Sequence, residues 1–160
     1  MKGGLLILFS LFLFSCSAPT IVILKDPLTS QEHVDLGYIY EKQGKLDLAE
    51  KEYKKAIKKD GKNWIAYYNL GNIYAKREEW RKAENFYKKA IEIKRDPDAL
   101  NNLAYVLNKQ GKYCLAQRII KEAIEKENKE DYRETEKEIE RAIKEKKVNC
   151  LSFEGEGELW

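Results

Sequence analysis

Between residues 30 and 130 the apolar positions form short stripes at helical spacing, broken by a few polar residues, and the stripes come in pairs. In the first pair Leu36 and Tyr40 sit four residues apart, and Ala49, Tyr53, Ala56 and Ile57 follow on one helical face. That spacing predicts two amphipathic helices, over 30–43 and 46–59. The pattern then repeats. Leu36-Gly37 with Tyr40 returns as Leu70-Gly71 with Tyr74, and in weaker form as Leu103-Ala104 with Leu107. Ala49, Tyr53 and Ala56-Ile57 return as Ala83, Tyr87 and Ala90-Ile91, then as Ala116, Ile120 and Ala123-Ile124. The offset is 34 residues and then 33, which defines units 30–63, 64–96 and 97–130.

Small residues share fixed places in the units: Gly37, Gly71 and Ala104 in the first helix, Ala49, Ala83 and Ala116 in the second. Glycine inside a helix costs about 1 kcal/mol relative to alanine. Its return at one place predicts a close helix–helix approach there. Gly44 and Gly111 mark the turn between the helices of units one and three, while unit two has Glu78 and no evident stop. Leu46, Trp80 and Tyr113 open the second helices. Thr29 followed by Glu32 fits a capping box behind Pro27, and Asp96-Pro97-Asp98 breaks the chain between units two and three. A charged helix is expected over 131–147, with one narrow apolar stripe of Tyr132, Ile139, Ala142 and Ile143. Such a helix suits the end of a repeat stack, packed on one side and wet on the other. A free charged arm that binds a partner is the alternative. Residues 148–160, rich in glycine and glutamate, are expected to be a loose tail.

The three copies resemble the tetratricopeptide repeat (TPR), a pair of antiparallel helices per unit. The resemblance implies an all-α fold: a right-handed α-solenoid of three helix pairs plus a C-terminal capping helix. Gly61, Arg95 and Asn128 stand where that family usually closes a unit with proline. It also implies a concave face lined by the first helix of each unit, which binds a protein or an extended peptide. The inward positions carried over are Val34, Asp35, Tyr38 and Lys42 in unit one, and Tyr68, Asn69, Asn72 and Lys76 in unit two. Unit three contributes Asn101, Asn102, Tyr105 and Lys109. Asparagine both donates and accepts, tyrosine adds contact area with a polar tip, and the lysines form a stripe. Some members clamp a C-terminal carboxylate with lysine and asparagine. Asn69 fits that clamp, but Val34, Tyr38, Asp98 and Asn102 stand at its other positions, so it is not expected here.

The first residues carry a second pattern. Lys2 precedes an apolar run from Leu5 to Phe14, too short to span a bilayer and matching the core of a secretory signal peptide. The run ends in Leu13-Phe14-Ser15-Cys16, which resembles the lipobox of bacterial lipoproteins. The resemblance implies a signal peptide over 1–15, cleavage before Cys16, and lipid on the Cys16 thiol. Residues 16–29 then form a tether, in which Ile21-Val22-Ile23-Leu24 is unusually apolar. The implied location is the bacterial cell envelope, lipid-anchored on the periplasmic side. Ser17 in place of aspartate favours the outer over the inner membrane.

Composition narrows the chemistry. Thirty basic and 27 acidic side chains leave a net charge of +3, too small to point to nucleic acid. The abundant carboxylates read as mostly solvated. The lone histidine, His33, falls where the repeat places a large packing residue, so a packed or half-exposed side chain is expected rather than a base or ligand. No glycine-rich phosphate loop, nucleophile elbow or metal-ligand spacing occurs, so no enzyme, cofactor or metal is expected. With Cys16 lipidated, two thiols remain. The capping helix would return the chain to the level of Cys114 and bring Cys150 within reach, and an oxidising compartment would allow a disulfide. A buried Cys114 with a free Cys150 is the open alternative. Together these features describe a lipid-anchored periplasmic interaction scaffold, serving envelope, secretion or pilus assembly, or adapting an envelope hydrolase. The alternative is an accessory subunit of a secreted enzyme, or a glycan- or lipid-handling protein. Asn102-Leu103-Ala104 and Cys114 resemble repeat segments that accompany secreted cysteine peptidases.

Overall fold

Each first helix begins at a side-chain cap. Thr29 accepts from the Glu32 amide at 3.2 Å while the Glu32 carboxylate accepts from the Thr29 amide at 2.7 Å, so the capping box forms. Asn63 accepts from the Ala66 amide, and Asp96 from that of Asp98, with Pro97 at the first helical position. The computed structural model describes residues 26–150. The expected signal peptide, Cys16, most of the tether and the tail from 151 onward lie outside the described residues.

Seven α-helices form among the described residues: α1 (Ser30–Lys42), α2 (Leu46–Lys59), α3 (Trp64–Lys76), α4 (Trp80–Ile93), α5 (Pro97–Lys109), α6 (Tyr113–Lys126) and α7 (Glu130–Lys146). They pair as α1/α2, α3/α4 and α5/α6, with α7 packed on α6 and α5. The turn inside each pair uses one left-handed residue: Gly44, Glu78 and Gly111, with φ of 73°, 57° and 76°. Glu78 therefore adopts the glycine conformation of the other two units, which explains why unit two lacked a visible stop.

The core follows the repeat. Leu70, Ile73, Leu100, Leu103, Leu107 and Ile119 are fully buried between the helices. Gly37 and Gly71 make the expected close approach. A Cβ on Gly37 would lie 2.5 Å from the Tyr53 ring, and one on Gly71 2.5 Å from the Tyr87 ring. In unit three the same two positions hold Ala104 and Ile120. A side chain smaller in cross-section faces a bulkier helix position, so volume is conserved across the pair.

Neighbouring units are also braced by polar side chains. Arg77, at the turn of unit two, reaches back to Glu50 of α2 at 2.5 Å, and the Tyr74 hydroxyl donates to the same carboxylate at 2.7 Å. One unit on, Gln110 and Lys112 reach Glu84 of α4 at 2.8 and 2.6 Å. Glu50 and Glu84 are 34 residues apart, so the brace is part of the repeat. Glu52 and Glu84 are buried and Glu50 is half-buried, exceptions among carboxylates that are otherwise mostly exposed.

His33 is fully buried. Its Nδ1 lies 2.7 Å from Glu52 Oε2 and its Nε2 lies 3.1 Å from Asp26 Oδ2, so it ties the segment before α1 to α2. In α7, Tyr132, Thr135 and Ile139 are buried, while Ala142 and Ile143 are only half-buried. The Tyr132 hydroxyl and Lys129 Nζ both donate to Asp98, which holds the cap to α5. Cys114 and Cys150 are bonded, with Cα atoms 5.3 Å apart. The residues just after α7, expected to be loose, are thus fastened to the first turn of α6.

Candidate binding groove

The first helices of the units, α1, α3 and α5, lie side by side, and their polar side chains bond from one helix to the next. Lys76 Nζ on α3 meets Glu41 on α1 at 2.5 Å, and Asn102 Nδ2 on α5 donates to Asn72 Oδ1 on α3 at 3.0 Å. Between these pairs is a pocket of about 250 Å³, lined by Asn72, Lys76, Asn102 and Tyr105 together with Glu41, Ala75 and Tyr87. Four of the residues expected to face inward therefore meet in one place.

The others are spread along the same helices. Tyr38 and Lys42 are exposed at the unit-one end, with the Lys42 ammonium 5.0 Å from the Tyr38 ring centroid. Lys109 repeats that arrangement over Tyr105 at 4.8 Å, and Tyr105 meets the Trp80 ring edge-on. Lys42 and Lys109 have no carboxylate partner among the described residues, whereas Lys76 is paired. Tyr68 is half-buried, accepts from Asn102 Nδ2 at 3.2 Å, and has its phenol pKa pushed up, mainly by burial. Asn69 is half-exposed. Asp35 is exposed and accepts from Gln31.

Two expected positions are corrected. Val34 is only 4 % exposed and belongs to the core. Asn101 is 9 % exposed, and its Nδ2 donates to Asn102 Oδ1 at 3.3 Å, so it supports the groove from beneath instead of lining it. Both occupy the aligned position that Tyr68 fills in unit two. A long side chain reaches the surface from there and a short one does not.

Three lining residues were missed. Glu41 and Ala75 share one aligned position, which the inward positions carried over from the resemblance do not include. Tyr87 looked like pure core, and its ring is 1 % exposed, yet its hydroxyl donates to Asn72 Oδ1 at 2.7 Å. Tyr53 does the same in unit one, donating to Glu41 at 2.9 Å. Burial pushes both phenols far above the usual tyrosine range, reinforced at Tyr53 by the Glu41 charge, so both remain protonated donors. Among the described residues no group of three or more His, Cys, Asp or Glu is arranged to hold a metal ion.

Comparison with known proteins agrees with this geometry. The family profile described as Tetratricopeptide repeat matches residues 64–97, and the one described as TPR repeat matches 37–78. No curated protein sequence matches the chain. Among solved structures, the first TPR of Spaghetti (RPAP3), bound to the HSP90 peptide SRMEEVD, aligns with a TM-score of 0.70 at 22% identity. It covers 72% of this chain and 93% of its own. The N-terminal domain of stress-induced protein-1 (STI-1) from C. elegans aligns at 0.61 and 24% identity, covering 69% and 94%. YrrB, a TPR protein with an unusual peptide-binding site, aligns at 0.64 and 23% identity, covering 71% of this chain and 58% of its own. The fold is therefore the all-α TPR solenoid.

Proposed function

We propose that this chain is a lipid-anchored periplasmic scaffold that holds a partner protein or extended peptide in the groove across α1, α3 and α5. The observation that carries the reading is the central pocket. Asn72, Lys76, Asn102 and Tyr105, from two helices of different units, converge there, the first three already oriented by hydrogen bonds and Tyr105 by its contacts with Trp80 and Lys109. Immobilising polar side chains costs rotamer entropy, so a groove whose donors are already held incurs less of that cost when a peptide binds. Two of the similar structures are of peptide-binding TPR proteins, which supports a peptide as the occupant. The pattern at Cys16 supports the anchor. One acyl chain holds a protein only reversibly, and two or three make release negligible. The reading assigns recognition and no catalysis. Its setting is envelope, secretion or pilus assembly, or the delivery of an envelope hydrolase.

The test has two arms. Changing Asn72, Lys76, Asn102 and Tyr105 together to Ala should abolish capture of the partner crosslinked in the envelope while the helical circular dichroism is kept. Capture that survives moves the site off the groove. Cys16→Ser should lose labelling by a fatty-acid analogue and leave the protein soluble or unprocessed. Unchanged labelling ends the lipoprotein reading.

A further inference from the structure

The two core tyrosines opposite the helix glycines do more than fill space. Because Gly71 has no Cβ, the Tyr87 ring lies directly over the α3 backbone and its hydroxyl emerges on the groove floor. There it donates to Asn72 Oδ1 at 2.7 Å, and Asn102 Nδ2 donates to the same oxygen at 3.0 Å. Two donors on one amide oxygen fix the orientation of that amide. A flipped Asn72 would set its NH2 against the NH2 of Asn102. Asn102 is itself locked, since its Nδ2 also donates to the Tyr68 hydroxyl and its Oδ1 accepts from Asn101. With its oxygen doubly engaged and its NH2 also bonded to the Tyr68 hydroxyl, Asn72 has only the second N–H of that NH2 left to offer a ligand in the pocket.

We propose that Tyr87 is a positioning residue for ligand binding: through its hydrogen bond it holds the Asn72 amide so that the Asn72 NH2 donates to a main-chain carbonyl of an extended peptide. This rests on the groove reading above. A main-chain carbonyl is the acceptor that every extended peptide carries, and it recurs on one side every second residue, at about 7 Å. Unit one uses the same device, with the Tyr53 hydroxyl holding Glu41, which in turn holds Lys76. Unit three has Ile120 at the matching place and no hydroxyl to present. The tyrosine-held part of the floor therefore lies in units one and two, and Asn102 of unit three is held by Tyr68, Asn72 and Asn101 instead.

A random heptapeptide library displayed on phage, selected on the immobilised full chain, supplies the probe. The affinity of the best selected peptide is then measured by fluorescence anisotropy. Tyr87→Phe should weaken binding about tenfold, the loss of one hydrogen bond's worth of orientation, with little change in Tm. Asn72→Ala should weaken it similarly, and the double variant should be no worse than Asn72→Ala alone. Asn85→Ala, on the exposed side of α4, should leave binding unchanged. The Asn72 side-chain amide signals should shift in Tyr87→Phe even without peptide, which a purely structural role for the ring would not require. Undiminished binding to Tyr87→Phe, or losses that simply add in the double variant, would overturn the assignment. If no peptide is selected, or the selected peptide ignores the fourfold groove variant, the groove reading itself fails. A peptide that needs the groove yet ignores Tyr87→Phe sinks only the role of Tyr87.

Discussion

Substituting Gly71 by Ala adds a single methyl group at the tightest helix contact. Its Cβ would lie 2.5 Å from Tyr87 Cε1 and 2.6 Å from Cδ1, where ordinary contact begins near 3.4 Å. The ring must therefore retreat by roughly 1 Å, and it has little room, being 1 % exposed with its hydroxyl bonded to Asn72. Overpacking of this kind costs about 1–3 kcal/mol. Alanine recovers about 1 kcal/mol through its better helix propensity. The net expectation is a loss of about 1 kcal/mol, where an exposed helix glycine would show a gain of that size. Unit three shows how the clash is relieved, since Ala104 there is matched with Ile120. Tyr87→Ile in the Gly71→Ala background should therefore be less damaging than in the parent, by a coupling energy of about 1 kcal/mol or more. Urea unfolding followed by circular dichroism measures all four corners of the cycle. A 1 kcal/mol loss moves the midpoint by about half a molar at an ordinary m-value. A Gly71→Ala variant more stable than the parent, or a coupling near zero, would refute the claim that this contact sets the helix spacing.

Removing the bond between Cys114 and Cys150, 36 residues apart, should lower stability by roughly 4 kcal/mol in the chain-entropy model, with faster hydrogen exchange concentrated in α7; equal melting with and without reductant would contradict this. Glu78→Gly should stabilise by about 0.5–1 kcal/mol, because Glu78 holds φ 57° where the other units have glycine, and a lower Tm would show that its side chain matters more than its backbone. Burial raises the Glu50 pKa, but hydrogen bonds from Lys54, Arg77 and Tyr74 outweigh it and bring it down to about 2. Because its folded pKa is depressed, Glu50 contributes stability that is present above pH about 4.5 and fades as pH falls towards 2, about 1–2 kcal/mol after solvent screening. Glu50→Gln should flatten the fall in urea midpoint over that window, and an unchanged slope would assign it to other carboxylates.

Much of the architecture was legible in the linear pattern, because the 34-residue period puts the same physical demands on each unit. Leu70 and Leu103 mark a buried face, with Leu36 half-buried at the same place in unit one, and Gly37 and Gly71 declare a close approach by accepting a propensity cost. Thr29 with Glu32 declares a helix start through purely local geometry. Such features depend on residues near one another in the chain, so sequence determines them. The groove was only partly legible. Lys76, Asn72, Asn102 and Tyr105 followed from the positions that the family resemblance carries over, but Asn101 and Val34 sank below the surface because side-chain length, not position alone, decides what reaches the opening. The pairing of Glu50 with Arg77, and of Glu84 with Gln110, joins residues 26 or 27 positions apart and exists only once the units stack. The role of Tyr87 was the least visible. Its position reads as core, and only the meeting of α4 with α3 over a glycine carries its hydroxyl through to the groove floor.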